Sequence, residues 1–332
     1  MQDSSHQLKM NQRIVWVDLL RGICMLMILW FHTEMYYAER DIIPYDIYVA
    51  NALTAFYFIS GYVFVAHRES FSWRRKLRSI GLRIILPYFF FTTILAIPKA
   101  LANHLPITDV LTSVLLGNAS WFISSLIVAE LLFISVLILR CKWHIYAVQI
   151  VCLLLAYLLT GSELALHYNY WNFHSALIGL FFLCLGHQYR QYEARFQLFN
   201  RTSSIILLSI TLILIKVYVI NDDISLLVGP VEITSYPVFI VDMTVGILLL
   251  IAISKRMPTL SWLAWTGRHS LVYYFFCGAV PMAVAMALNA LRLPFTEHSN
   301  YLLIPFAFLL VYVLTTLVTW LAYRYLKFLS WH

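Results

Sequence analysis

Among the ionisable side chains inside long apolar stretches of this sequence, five stand out: Asp18, Arg21, His32, Glu130 and Asp242. A charge held at membrane or core depth is costly, so each is a candidate for chemistry until a partner accounts for it. Arg21 and His32 stand eleven residues apart, which on a helix returns them to within about 20° of one face and separates them by about 16 Å along the axis. A histidine titrates near neutrality and can accept a proton from an attacking group. A guanidinium keeps its charge at depth and can hold a phosphate or a developing oxyanion. Asp18, one turn before Arg21, can neutralise or orient it. A structural ion pair beside an interfacial histidine would show the same spacing, so spacing alone leaves both readings open.

The elements that must carry these residues follow from composition. The chain has 332 residues, of which 61% are hydrophobic and 12% charged, far more apolar than a soluble domain. A spanning helix needs about 20 mostly apolar residues, since backbone groups in hydrocarbon must find partners within the helix. About ten such runs are present, at 14–33, 47–66, 80–97, 121–139, 143–160, 170–189, 203–220, 236–253, 270–289 and 302–323. The predicted fold is an all-α polytopic membrane helix bundle filling residues 1–332 as one domain, with short tails at both ends. The first run carries Asp18 and Arg21 and has no small-residue cleavage site, so it reads as a retained helix rather than a signal peptide.

Loop charge orients the bundle. The N-terminal tail, the loops after the second, fourth, sixth and eighth runs and the C-terminal tail hold 17 of the 23 Lys and Arg residues. The remaining loops hold only Arg40, Lys99 and Arg292, beside ten of the sixteen acids. Short cytoplasmic loops retain basic residues, so both termini are expected in the cytosol. The net charge of +7 is then a matter of topology and implies no nucleic-acid partner. One loop exceeds that need: Arg68, Arg74, Arg75, Lys76, Arg78 and Arg83 crowd the inner end of the third run. They suit either anionic membrane lipids or a phosphorylated cytosolic ligand, with Arg83 equally readable as a snorkelling residue.

Glu130, mid-run, can pair with Arg21 or His32, and Asp242 reads as functional or as a buried packing group. Lys216 reads as a snorkeller at the outer end of its run. Trp121, Tyr168, Tyr170 and Trp171 could stack on a sugar or belong to an interfacial aromatic belt. Cys24, Cys152, Cys184 and Cys277 fall in apolar runs and Cys141 between Arg140 and Lys142, so neither a disulfide framework nor a metal site is indicated. No Gly-x-Ser-x-Gly elbow occurs, and Ser60 reads as a small packing residue.

Several segments together resemble one family. WVDLLRGICMLMILWFH (Trp16 to His32) resembles the first-helix signature of the acyltransferase-3 family, with ten residues between its arginine and its histidine. FYFISGYVF (Phe56 to Phe64), RKLRSIGLRIILPYF (Arg75 to Phe89), SWFISSLIVAELL (Ser120 to Leu132) and GRHSLVYYFFC (Gly267 to Cys277) are similar to later segments of that family, in the same order. Cys277 stands where many members have a histidine, so any role of that histidine is not carried over. Tyr274 matches the motif's tyrosine.

The resemblance implies a membrane O-acetyltransferase that takes acetyl groups from acetyl-CoA, with no permanently bound cofactor. The acceptor it implies is a sugar hydroxyl of a cell-surface polysaccharide or lipid-linked glycan, and the location a bacterial plasma membrane. His32 becomes the expected general base, and Arg21, aided by Asp18, a donor-binding or oxyanion-stabilising group. Covalent transfer through His32 is chemically open as well. Arg74, Arg75, Arg78 and Arg83 join Arg21 as expected donor-binding residues, with Glu130, Trp121 and Tyr274 on the substrate side. The stripe from Arg21 to His32 is comparable in length to the extended pantetheine arm of coenzyme A. Buried charges in a helix bundle also serve transporters and flippases of anionic or sugar substrates, although no paired-halves repeat is visible.

Overall fold

A computed structural model describes residues 14–64, 72–102, 106–138, 142–162, 167–293 and 301–330. The tail before residue 14, Arg68, Arg140 and Cys141 lie outside the described residues.

The apolar runs all become helical. In chain order these are α1 (Val15–Tyr37), α2 (Tyr45–Phe64), α3 (Trp73–Ile80), α4 (Leu86–Ala102), α5 (Ile107–Leu115), α6 (Trp121–Ile138) and α7 (Lys142–Leu159). They continue as α8 (Phe173–Gln191), α9 (Thr202–Asn221), α10 (Tyr236–Arg256), α11 (Ser261–Arg268), α12 (Ser270–Phe276), α13 (Ala279–Ala290) and α14 (Leu303–Tyr325). A wider π-type turn, Gly81–Ile85, joins α3 to α4 without a break. Among the described residues seven helical segments are long and apolar enough to cross a bilayer, or eight if α12 and α13, bent by 47°, make one span.

This polytopic helical bundle is the expected fold, but the count by length and composition falls below ten for a physical reason. The apolar stretch of α7, His144–Leu159, is short. Helix α8 carries His174, Ser175, His187, Gln188 and Arg190, yet thirteen of its nineteen residues are buried. It is enclosed by α2, α6 and α7, and a helix wrapped in protein needs no lipid-facing apolar surface. Its polar groups are answered locally: His174 Nε2 meets the Ala156 carbonyl at 2.8 Å and Gln188 donates to Gln149 at 2.8 Å.

Two ends are defined by contacts between sequence-distant residues. At one end Trp16 packs edge-on against Tyr62 at 4.9 Å, Tyr62 donates to Glu193 at 2.7 Å, and Lys255 donates to Glu193 at 2.6 Å. These residues belong to segments that the loop-charge pattern places on one side. At the other end Tyr37 donates to the Leu293 carbonyl at 2.8 Å and Thr160 pairs with Tyr236 at 2.8 Å.

The all-α expectation omitted one element at this second end, the hairpin β1 (Leu226–Val228) and β2 (Val231–Ile233). Leu226 faces Ile233 and Val228 faces Val231 across it. Alternation turns Leu226, Val228, Val231 and Ile233 into the bundle and Glu232 outward, as a strand's period of two requires.

Lys216 is not the snorkeller expected from its position. Its Nζ is drawn inward to Asp242 Oδ1 at 2.7 Å, Asn51 Oδ1 at 2.8 Å and the Asp46 carbonyl at 2.6 Å. Asp242 is fully buried, so the pair ties α9, α10 and α2 together where water cannot substitute. Removing one partner of a buried pair strands the other charge. We therefore expect Lys216→Met to cost about 3–5 kcal/mol, read as a lower melting temperature in detergent. Lys216→Met combined with Asp242→Leu should regain most of the loss. A single variant melting with the parent protein would mean that the pair carries no stability.

Candidate active site

The candidate site begins where α1 is pinned. Helix α11 crosses α1 with backbone against backbone: a Cβ on Gly267 would lie 1.8 Å from the Asp18 carbonyl oxygen, and one on Gly22 2.3 Å from the Leu263 carbonyl oxygen. Small residues let helices approach this closely, and here they grip the turn that carries Asp18 and Arg21. Asp18 is buried and Arg21 half-buried.

A second close crossing places α2 against α8. A Cβ on Gly61 would meet the Leu183 carbonyl oxygen at 1.9 Å, and one on Gly186 the Phe58 carbonyl oxygen at 1.9 Å. Each residue of the Ser-Gly-Tyr segment thereby acquires a separate task. Gly61 admits α8, Tyr62 holds Glu193, and Ser60 faces the buried carboxylate of Glu130 on α6. The packing role read for Ser60 is thus only part of its part in the fold.

Glu130 lies within electrostatic range of Arg21 and Lys76, and Lys76 within range of Arg83. Of the two partners the sequence offered Glu130, the fold sets Arg21 beside it. The basic run on α3 is sorted by its packing against α6. Lys76 turns inward, its Nζ 3.7 Å over the Phe64 ring, whereas Arg74, Arg75 and Arg78 are exposed, as is Arg83 in the π-type turn. Two cations, Arg21 and Lys76, therefore face the carboxylate of Glu130, with Arg83 beside Lys76 and Asp18 close by in sequence. The cluster keeps a positive remainder, suited to an anion. Sequence reasoning missed Lys76 as a member, because nothing in a run of basic residues says which one a neighbouring helix will cover.

His32 stands at the other end of the α1 stripe, half-buried, between Phe31 and the ring of Tyr36, stacked with centroids 6.3 Å apart. Tyr36 is within electrostatic range of Cys277, and Cys277 of Tyr274. Tyr274 faces the backbone of Phe122 in the first turn of α6, packs on the Phe122 ring at 5.1 Å, and is within range of Tyr45 and Tyr57. Trp121, heading α6, packs on Phe122 at 5.8 Å and on the hairpin turn at Gly229. The predicted residues thus fall into two groups. Asp18, Arg21, Arg83 and Glu130 gather at the basic end, and His32, Trp121 and Tyr274 line the far end, while Arg74, Arg75 and Arg78 form an exposed rim.

A helical membrane bundle with a net-positive, partly buried cluster and an aromatic end that holds a histidine is the class of protein these features define. A family profile described as an acyltransferase domain, acyltransferase 3, matches residues 14–324. The chain belongs to that family and is a multi-pass membrane acyltransferase, with an acyl donor and an acceptor implied. No curated protein and no solved structure matches it.

The crossing at Gly267 is testable without any substrate. A methyl group cannot be accommodated against a backbone oxygen by a rotamer change, so Gly267→Ala should destabilise by about 1–3 kcal/mol or more. Gly81, with open space where a Cβ would lie, is the control. Gly81→Ala should be neutral or stabilising by about 0.5–1 kcal/mol, since glycine is the poorer helix former. Equal melting temperatures for the two variants would contradict the crossing.

Proposed function

We propose that the protein acetylates a sugar hydroxyl of a cell-surface polysaccharide or lipid-linked glycan, using cytosolic acetyl-CoA, in a bacterial plasma membrane. The observation that carries this reading is the arrangement along α1: a net-positive cluster around Arg21 at the basic end and His32 about 16 Å further on. Positive-inside orientation turns the cluster towards the cytosol. A donor whose phosphates rest on Arg21, Lys76 and Arg83 then has an arm long enough to carry its thioester to His32. Arg74, Arg75 and Arg78, exposed beside the cluster, extend the positive field into water and attract the anionic donor over roughly 8–10 Å at ordinary ionic strength.

In the reaction His32 takes the proton of the acceptor hydroxyl as its oxygen attacks the thioester carbonyl carbon. The tetrahedral intermediate collapses by breaking the carbon–sulfur bond, and the proton passes from His32 to the departing thiolate. The products are an acetyl ester and free CoA. Distance separates the two roles that Arg21 could play. Side chains on a helix lean towards its N-terminus, so Arg21 leans away from His32 and out of reach of an oxyanion formed there. Arg21 is accordingly assigned to donor binding, with Asp18 and Glu130 setting the charge balance around it.

The two ends should fail differently. In His32→Ala, calorimetry should show acetyl-CoA binding retained while acetyl transfer falls by about two to four orders of magnitude, the usual loss for a positioned base. Arg21→Ala should weaken acetyl-CoA binding, and Arg21→Lys should restore only part of it, lacking the planar fork. Near-normal turnover in His32→Ala would remove His32 as the base. Normal donor affinity with lost turnover in Arg21→Ala would move Arg21 to the transition state.

A further inference from the structure

The second end of the bundle is closed by a segment whose burial exceeds what a loop requires. Leu226 and Val228 are fully buried, and Val231 and Ile233 nearly so. Three helices hold the hairpin by polar or close contacts. The Leu226 N–H donates to Asp46 Oδ1 on α2 at 2.8 Å, Ser175 on α8 donates to the Val228 carbonyl at 2.8 Å, and the Trp121 ring lies so near Gly229 that a Cβ there would come within 2.4 Å of it. Lys216 reinforces the first anchor by donating to the Asp46 carbonyl at 2.6 Å.

Under this cover lies polar capacity without a partner. The phenol oxygen of Tyr45 is buried beside the Val228 backbone and has no hydrogen-bond partner of good geometry among the described residues. Tyr48, one turn on, also buries a phenol oxygen that no group among the described residues satisfies. A buried hydroxyl without a partner is uncommon in folded proteins and calls for an account. Tyr45 packs edge-on against Phe31 at 5.5 Å, the residue beside His32, and lies within electrostatic range of Tyr57 and Tyr274. The free phenol therefore belongs to the same aromatic end as His32.

We propose that residues 226–233 form the acceptor-side wall of the site and that the Tyr45 phenol hydrogen-bonds a hydroxyl of the acceptor sugar, so that hairpin and phenol together select the acceptor. The inference rests on the acetyl-transfer reading above. It requires a polyhydroxylated acceptor, because such a ligand supplies donors and acceptors to isolated phenols while its ring faces pack on aromatic side chains. Tyr45 acts by binding and not by proton transfer, and the hairpin by positioning.

The test uses purified protein, acetyl-CoA and, as acceptor, surface glycan from cells that make the protein, deacetylated with base. Tyr45→Phe removes one oxygen that no group among the described residues needs, so its melting temperature should match that of the parent protein. Its KM for the glycan should rise about three- to tenfold, the span of one net hydrogen bond, with acetyl-CoA binding unchanged. Gly229→Ala pushes the turn off Trp121 and should raise the same KM, again with acetyl-CoA binding unchanged. Unchanged glycan KM in both variants would make the hairpin a structural cap and overturn the proposal. A parent protein that binds acetyl-CoA but leaves the glycan unmodified would instead count against the acetyl-transfer reading, and this proposal would fall with it.

Discussion

Charge placed at membrane depth must be compensated inside the protein, and the two ways this chain does so organise the rest of the structure. At the hairpin end Lys216 and Asp242 close on each other, with Asn51 and the Asp46 carbonyl completing the shell of Lys216. That site neutralises itself and serves to hold helices. At the basic end Arg21 and Lys76 share the carboxylate of Glu130, with Arg83 beside Lys76, so positive charge is left over. A bundle tolerates such a remainder where an anion can approach, and in the proposed reading that anion is the phosphate-bearing acyl donor. The contrast between a closed ion pair and an open cluster separates the scaffold from the site.

Geometry at both places depends on glycines that bring backbones together. Gly22 and Gly267 clamp the Arg21 turn, and Gly61 and Gly186 set α2 on α8 so that Ser60 reaches Glu130. Neither crossing has slack, because the atoms opposite the missing Cβ groups are carbonyl oxygens. A rigid α1 then fixes the distance from Arg21 to His32 by its rise per residue alone. The protein thus holds two chemically different regions at a set separation on one helix, and the remaining helices supply each region with its surroundings.

Much of this was legible in the sequence, and what was not has physical causes. The Arg21 to His32 stripe needs only helix periodicity, and the alternation of basic and acidic loops needs only short connections. Pairings across helices were out of reach. Lys216 and Asp242 sit on separate helices, so Lys216 looked like an interfacial residue. Ser60 and Glu130 meet only because Gly61 lets α2 close on α8. Lys76 differs from Arg74, Arg75 and Arg78 in facing α6, a distinction that composition does not carry. The hairpin strands hold three residues each, too short to show alternation against an apolar background. Helix α8 looked like one more span, and its enclosure emerged only from its neighbours.

The central claim is that the donor lies along α1, phosphates at the basic cluster and sulfur towards His32. An electron cryo-microscopy structure of the protein with CoA tests it most directly. The account predicts nucleotide density against Arg21, Lys76 and Arg83, with the pantetheine arm extended along α1 and its thiol ending near His32 and Tyr36. A nucleotide seated at the hairpin end, beside Trp121 and Gly229, would contradict it.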